Sequence, residues 1–177
     1  MSIDNPVKQL FMTLTQGVYI VGVAKAGLHN AFTASSVMQV SLQPPMLAVA
    51  VNPANASYPL LIAGGIFSLT VLHRGQGDMA DLFGTRSARD TDKLDRVAWH
   101  ASPSGAPVLD EGVSYFDCLV VSKMPAGDHV LVLAEVSGGD FLREEAEPLH
   151  YAELDDLDGS DELMPRRLSG STPRATH

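Results

Sequence analysis

The sequence predicts a mainly β protein, a closed β-barrel with a few short helices. Many short segments are rich in Val, Ile, Leu and Phe and end at Gly, Pro or Asp turns, which is typical of strands. Predicted strands cover residues 17–24, 30–42, 46–52, 66–72, 113–123 and 129–142. Helical spacing is confined to segments 5–15, 57–62 and 76–83, which favours a barrel over a doubly wound sheet.

The first two helices carry start and stop signals. Asn5 can cap the first, Pro6 suits its first position, and Gly17 ends it. Between them the apolar residues fall on one helical face: Val7, Leu10, Phe11 and Leu14. Ser57 is the expected cap of the second helix, and Gly64-Gly65 is its expected stop.

Turn residues separate the strands. A Pro44-Pro45 turn precedes strand 46–52, which is apolar at almost every position and is therefore expected to be buried on both faces. Residues 84–105 are polar and are expected to be irregular. A turn at 125–128 joins the last two strands, and Gly138-Gly139 is expected to break the second of them.

Composition narrows the function classes. A net charge of −9 over 177 residues disfavours nucleic acid as a partner. Cys118 is the only cysteine, which excludes an internal disulfide and fits a cytoplasmic location. The first residues lack the pattern of a signal peptide, and no apolar run approaches the roughly 20 residues that span a bilayer. We therefore expect a cytoplasmic protein without a membrane partner.

The domain is expected to end near residue 152. Residues 153–162 are largely acidic, and a segment of Ser, Thr, Gly, Pro and Arg follows them. Neither part can bury enough apolar area to offset chain entropy. The sequence thus predicts one domain at 1–152 and a mostly disordered tail at 153–177.

Residues 29–52 form the most informative stretch. A Thr-Ala-Ser-Ser cluster at 33–36 opens a strand, and the Pro44-Pro45 turn leads into the next one. Short hydroxyl side chains and exposed amides at a strand end offer donors without bulk, which suits a phosphate or the edge of a polar ring. On chemistry alone, an ordinary hairpin with a polar end accounts for the same pattern.

The usual phosphate-binding signatures are absent. The chain has no Gly-x-Gly-x-x-Gly after a strand and no Gly-x-x-x-x-Gly-Lys loop. A nucleoside phosphate would instead be held by Thr33, Ser35 and Ser36, or by cationic side chains of the 86–96 segment. Those cationic residues are Arg86, Arg89, Lys93 and Arg96.

The remaining candidates have ordinary explanations. The histidines show no pair at ligand spacing, so no metal site is predicted. Cys118 lies within an apolar strand and is expected to be a buried, inert thiol. His129, which follows Asp128 at the mouth of a hairpin, is by itself better explained as a turn residue.

The order of several motifs along residues 7–151 resembles the flavin reductase-like, FMN-binding split-barrel family. The matching features are the 29–52 block, Asn52 with Ser57, strand 66–72, Leu82-Phe83, Gly105 to Leu109, and Gly127-Asp128-His129. Each motif alone is weak, and their common order carries the resemblance. The family implies a split β-barrel that binds FMN, or FAD, and a homodimer with the flavin near the subunit interface.

The resemblance also implies roles for individual residues. It places His129 beside the flavin and the nicotinamide, as the catalytic residue. It places the remaining flavin contacts at Phe32, Thr33, Ala34, Ser35, Ser36, Val51, Asn52, Ser57, Phe83 and Asp128. The implied reaction is hydride transfer from NADH or NADPH to the flavin, which a partner monooxygenase can then use.

Three positions depart from the family pattern. Phe32 stands where Met is more usual, and Thr70 stands where Asn is common. The family's Arg-Gly strand is replaced by acidic residues after Tyr151. Two alternatives therefore stay open: an electron-transfer protein of the flavoredoxin type that receives electrons from a redox protein, and a flavin-storage or flavin-sensing module without turnover.

Overall fold

The computed structural model describes residues 5–85, 92–154 and 160–168. Within them the protein is mainly β, as predicted. The strands are β1 (Tyr19–Lys25), β2 (Leu28–Ala34), β3 (Val37–Leu42), β4 (Pro45–Val51), β5 (Ile66–Val71), β6 (Trp99–Ala101), β7 (Pro107–Leu109), β8 (Ser114–Ala126) and β9 (His129–Phe141). The helices are α1 (Pro6–Phe11), α2 (Tyr58–Gly64), α3 (Gly77–Thr85) and α4 (Ser160–Leu163), with short 3-10 turns at Leu94–Arg96 and Tyr151–Glu153.

Seven strands form one antiparallel sheet in the order β2-β1-β5-β8-β9-β4-β3. Its outer strands, β2 and β3, follow each other in the chain with only Ser35 and Ser36 between them. Because two residues span so short a distance, the sheet must roll until its two edges meet there. The chain itself thus joins the two edges at this point, while the hydrogen-bonded order of strands begins at β2 and ends at β3. The split β-barrel stays a prediction.

The prediction of one strand over residues 30–42 was wrong. β2 ends where Ala34 pairs with Tyr19, and β3 begins where Val37 pairs with Val49. The chain leaves one ladder and enters another at opposite edges of the sheet, so it cannot remain a single strand. The following turn lies at residues 43–44, one position earlier than expected, and Pro45 already belongs to β4.

The last two strands form one long hairpin. Gly138-Gly139 was expected to break β9, but the strand continues through both glycines. The register between β8 and β9 shifts by one residue beside Asp117, which leaves Ser137 outside the ladder. The Ser137 hydroxyl donates to the Asp117 carbonyl at 3.0 Å. Gly139 lies within the strand, and glycine is needed there because a Cβ would lie 2.5 Å from the Tyr115 carbonyl oxygen.

Two apolar clusters hold the fold together. The larger one lies inside the rolled sheet and includes Val21, Phe32, Val49, Phe67 and Val132. The second joins the other side of β1 and β2 to α3, and it includes Ile20, Leu72, Phe83, Leu94 and Leu149. β4 buries Leu47, Val49 and Val51 in the larger cluster, whereas Met46 and Ala50 on its other face are half-buried, so the expected burial on both faces holds only in part.

The helices differ from prediction mainly at their ends. α1 stops at Phe11 because the chain turns there, with the Thr13 amide and hydroxyl both donating to the Leu10 carbonyl. Ser57 precedes α2, but its side chain makes no capping hydrogen bond. The 84–105 segment is not wholly irregular, since it contains a 3-10 turn and β6. Across the described parts of the chain, no helix is both long and apolar enough to cross a membrane.

Part of the predicted tail is ordered against the first helix. The buried Asn5 caps α1 as expected, accepting from Val7 N at 3.0 Å and Lys8 N at 3.4 Å. Its amide nitrogen also donates to the carbonyls of Asp161 and Met164, at 3.1 and 2.9 Å. Residues 160–168 therefore differ from the expected disorder, and residues 155–159 and 169–177 lie outside the described residues. The domain boundary at 152 stays a prediction.

Candidate functional site

Strand register brings most of the predicted site residues to one end of the sheet. The Ala50 amide donates to the Ser36 carbonyl at 3.0 Å, so the Ser35-Ser36 link lies beside the end of β4. On the other side of β4, Val51 pairs with Val130. His129, the first residue of β9, therefore lies next to the chain that leaves β4. Residues 33–36, 51–52 and 128–129 converge although they are distant in sequence.

Side chains of the 33–36 cluster alternate between two environments. Phe32 and Ala34 belong to the core inside the rolled sheet, with 4% and 8% of their surface exposed. Thr33 points the other way, and its hydroxyl donates to the Ala80 carbonyl of α3 at 2.7 Å. Phe32 and Ala34 thus support the strand from its core-facing side. Thr33 fastens it to α3, a contact that the sequence did not predict.

A tight turn after β4 adds two carboxamides to this end. The Asn52 side-chain oxygen accepts from Ala54 N at 2.9 Å, and the Asn55 side-chain oxygen accepts from Ser57 N at 2.9 Å. Both oxygens are used locally, so the amide nitrogens remain as the donors toward a ligand. Asn55 was missed from sequence, although an Asn two residues before a helix start is a known turn pattern. Ser57 is buried, and its role at a ligand stays a prediction.

Asp128 and His129 lie at the tip of the β8–β9 hairpin. His129 Nδ1 is 2.8 Å from Asp128 Oδ1, and their side chains are 40% and 82% exposed. The hydrogen bond to His129, followed by the attraction of that ring, lowers the pKa of the Asp128 carboxyl below its usual value. The pair is accessible from solvent and stands beside the other converging residues.

Two predicted ligand contacts are taken up by packing. Phe83 is 1% exposed within the second core, so in this arrangement it supports α3 and offers almost no surface to a ring. Lys93 is also buried, and its ammonium donates to the Phe83 carbonyl at 3.2 Å near the end of α3. Lys93 is therefore not an exposed phosphate donor. Arg96 is exposed, whereas Arg86 and Arg89 lie outside the described residues.

Cys118 matches its ordinary explanation as a buried thiol. Cys118 is fully buried, and burial, with the Asp117 charge, raises its pKa to about 12. Such a thiol is inert at neutral pH. Within the described residues, no group of three His, Cys, Asp or Glu side chains could hold a metal ion.

The acidic replacement of the Arg-Gly strand has a structural partner. Arg74 forms ion pairs with Glu147 at 2.6 Å and with Glu153 at 3.0 Å. It therefore binds both ends of the segment that contains Tyr151. The pKa of the Glu153 carboxyl is lowered, chiefly by its hydrogen bond to Arg74. Thr70, the other departure, accepts from the Leu109 amide at 3.2 Å and anchors β7.

Comparison with known proteins identifies the family of this chain. Residues 11–156 match the family model described as the flavin reductase like domain. The chain belongs to this family. The converging end of the sheet is therefore the place to look for a flavin site.

Two relatives are about a third identical to this chain over the residues that align. The FMN reductase (NADH) RutF of Methylorubrum extorquens is 32% identical over 129 residues, which cover 73% of this chain and 62% of that protein. The reductase subunit HsaB of a flavin-dependent monooxygenase from Rhodococcus jostii is 31% identical, covering 76% of this chain and 68% of its own. This chain thus spans only about three fifths of the RutF relative.

A solved structure shares the architecture. The NADH:FAD oxidoreductase SgcE6 of Streptomyces globisporus C-1027 superposes with a TM-score of 0.74 at 28% identity. The match covers 80% of this chain and 84% of that one. The same rolled sheet therefore occurs in a protein described as a flavin oxidoreductase.

The residues at this end of the sheet fit a flavin. The isoalloxazine edge and the phosphate mostly offer acceptors, and the carboxamide nitrogens of Asn52 and Asn55 supply donors, as do the Ser35 and Ser36 hydroxyls. Thr33 has given its hydrogen to Ala80, so toward a ligand it can only accept, as a ribityl hydroxyl or ring N–H requires. The site is thus assembled from short polar groups over apolar strands, without a basic loop among the described residues.

Proposed function

We propose that this protein is an NADH-dependent flavin reductase. The observation that carries the proposal is the convergence of residues 33–36, 51–52 and 128–129 at one sheet end, in a chain of the flavin reductase like family. A flavin held there supplies the hydride acceptor, and the protein binds and orients the two rings. His129, half-exposed beside this end, is the residue that we propose to contact a nicotinamide arriving from solvent.

The product of this reaction is proposed to leave the enzyme for a partner. The name of HsaB, the reductase subunit of a flavin-dependent monooxygenase, supports a reduced flavin that is passed to a monooxygenase, and the name of RutF supports FMN as the flavin and NADH as the donor. FMN is the first choice of flavin, and FAD is the alternative because SgcE6 is described as an NADH:FAD oxidoreductase. The cytoplasmic location predicted from the single cysteine belongs to this proposal as well.

A split-barrel homodimer is the proposed assembly. Four adjacent strands, β3, β4, β9 and β8, form one part of the sheet. On the face of these strands away from the core, Met38 pairs with Ala48, and Ala48 pairs with Leu133. The same strands expose Met38 by 59% and Val121 and Met124 by 53% each. Among the described residues, α2 packs mainly on β1 and β5, and α3 on β1 and β2, so both of these helices pack chiefly on strands outside this apolar face. A second copy of the chain would cover it.

The first test is oxidation of NADH and NADPH by the purified protein, with and without FMN or FAD. We expect flavin-dependent oxidation that prefers NADH. His129→Ala should lower kcat/KM for NADH by about tenfold, or ~1.4 kcal/mol, because a contact to the nicotinamide is lost. His100→Ala is the matched control, since His100 is also half-exposed and bonded to an aspartate, Asp110, at 2.5 Å.

Three results would each refute a different part of the proposed function. A protein that binds flavin but oxidises neither nicotinamide would refute the reductase and favour the electron-transfer alternative. A protein that binds neither FMN nor FAD would refute the site itself. Equal losses in the His129 and His100 variants would remove His129 from the nicotinamide contact.

A further inference from the structure

The hairpin turn holds His129 and its neighbour Asp128 in a fixed relation. Ala126 and His129 face each other as the last pair of the β8–β9 ladder, with only Gly127 and Asp128 between them. Gly127 takes a φ of +68°, a conformation that glycine adopts without steric cost. The tight turn therefore sets where the Asp128 carboxylate stands relative to the imidazole.

The hydrogen bond between them has one direction. A carboxylate can only accept, so at 2.8 Å the hydrogen must lie on His129 Nδ1. A neutral imidazole carries a single N–H, so its Nε2 then has a lone pair and no hydrogen. The lowered pKa of the Asp128 carboxyl keeps the accepting partner ionised at neutral pH.

We propose that Asp128 is a positioning residue that makes His129 Nε2 a hydrogen-bond acceptor for the carboxamide N–H of the nicotinamide. The proposal rests on the proposed NADH-dependent function and assigns Asp128 a role through His129, in place of the direct flavin contact that the family resemblance implied. The carboxamide NH₂ is the donor that a bare Nε2 can recognise. Without the aspartate, the imidazole would divide between two tautomers, and one of these would present a donor to that same group.

The tautomer can be read in the unliganded protein. Nitrogen-15 NMR at about pH 8, where an imidazole is ordinarily neutral, distinguishes the two ring nitrogens of His129. We expect the hydrogen on Nδ1 in the wild-type protein, a mixture of tautomers in Asp128→Ala, and the wild-type pattern in Glu144→Gln. Glu144 is an exposed carboxylate beyond the far end of β9, so it controls for loss of charge alone. An unchanged tautomer in Asp128→Ala, which removes the accepting oxygens altogether, would overturn the proposal.

Kinetics test the ligand group. The substrates are NADH and its reduced 3-acetylpyridine analogue, in which a methyl group replaces the carboxamide NH₂. We expect Asp128→Ala to raise the KM for NADH about three- to tenfold, the effect of one hydrogen bond, and to leave the KM for the analogue nearly unchanged. Equal increases for both substrates, or none, would overturn the proposal.

The two proposals fail in different ways. Wild-type protein that oxidises no NADH but shows the Nδ1–H tautomer would refute the reductase and the nicotinamide contact, and would leave the orientation of His129 by Asp128 standing. Active wild-type protein with the hydrogen on Nε2 would refute the role of Asp128 alone.

Discussion

The Thr33 hydroxyl is already used in a tertiary hydrogen bond, which changes what the Thr-Ala-Ser-Ser cluster can offer a ligand. The Thr-Ala-Ser-Ser cluster predicts a row of hydroxyl donors, but Thr33 donates its hydrogen to the Ala80 carbonyl at 2.7 Å. Toward a ligand it is left with lone pairs, so a phosphate oxygen would be repelled at this position. The donors must come from Ser35, Ser36 and the carboxamides after β4. The sequence motif identifies the hydroxyl groups, but only the tertiary structure shows which of them still have a hydrogen to donate to a ligand.

Cys118 leads to a prediction at the same scale. Its pKa of about 12 means that almost no thiolate exists at neutral pH, and its side chain has no exposed surface. We expect no reaction with a disulfide reagent such as DTNB at about pH 8 while the protein is folded, and one equivalent after unfolding. Release of thiol from the native protein within seconds would show that β8 opens locally or that Cys118 is not buried.

At the scale of elements, a buried carboxylate fixes the loop between β6 and β7. Asp117 of β8 is 2% exposed and accepts from the Ser102 hydroxyl at 2.8 Å and the Ser104 amide at 3.0 Å. The Ser104 hydroxyl adds a third hydrogen bond to the same carboxylate, at 2.5 Å. The neighbouring strand β5 continues this seam, since Ser68 donates to the Pro107 carbonyl. Polar side chains therefore act together with the apolar burial of Val108 and Leu109 in holding β7 against β5 and β8.

Loss of this carboxylate should cost stability. Asp117→Ala leaves the buried donors of Ser102 and Ser104 without an acceptor, so we expect unfolding free energy to fall by about 2–4 kcal/mol. Asp117→Asn keeps one acceptor oxygen and should lose less. Urea denaturation measures both against Glu144→Ala, an exposed carboxylate. A change in Asp117→Ala within about 0.5 kcal/mol of wild type would contradict the anchoring role.

For the whole molecule, the apolar face of β3, β4, β9 and β8 is the surface feature that bears on assembly. Met38 and Val121 are more than half exposed on strands whose opposite face fills the core. Stable homodimers bury about 800 Å² or more per subunit, and a four-stranded sheet face can provide that area. The candidate site lies at one end of these same strands, so the assembly and the site share their support.

Charge on this face should therefore separate the subunits. We expect wild-type protein to sediment as a dimer and Val121→Asp to sediment as a monomer, because a carboxylate cannot be buried unpaired at low cost. Leu28→Asp is the matched control, since Leu28 is 67% exposed at the far end of β2. A monomeric wild type, or a variant at position 121 that remains dimeric, would refute the proposed interface.

Local sequence patterns predicted most strands and turns of this chain, because strands and turns depend largely on residues that are close in sequence. The fate of residues 30–42 was missed, since the split at Ser35 arises only when two ladders at opposite edges compete for the chain. The convergence of 33–36, 52 and 128–129 came from family resemblance, and register then accounts for it. Lys93 illustrates what residue type cannot reveal: its ammonium is buried at the end of α3 and donates to a carbonyl there.

The two-residue link between β2 and β3 limits how this fold can change. Most surface loops tolerate insertions, because lengthening them costs only loop entropy. Ser35-Ser36 differs, since each added residue lets the two sheet edges separate by up to about 3.4 Å and draws the hydroxyl cluster away from the end of β4. Length variation among related chains should therefore gather in other connections, and this link should keep its size even where its residues differ.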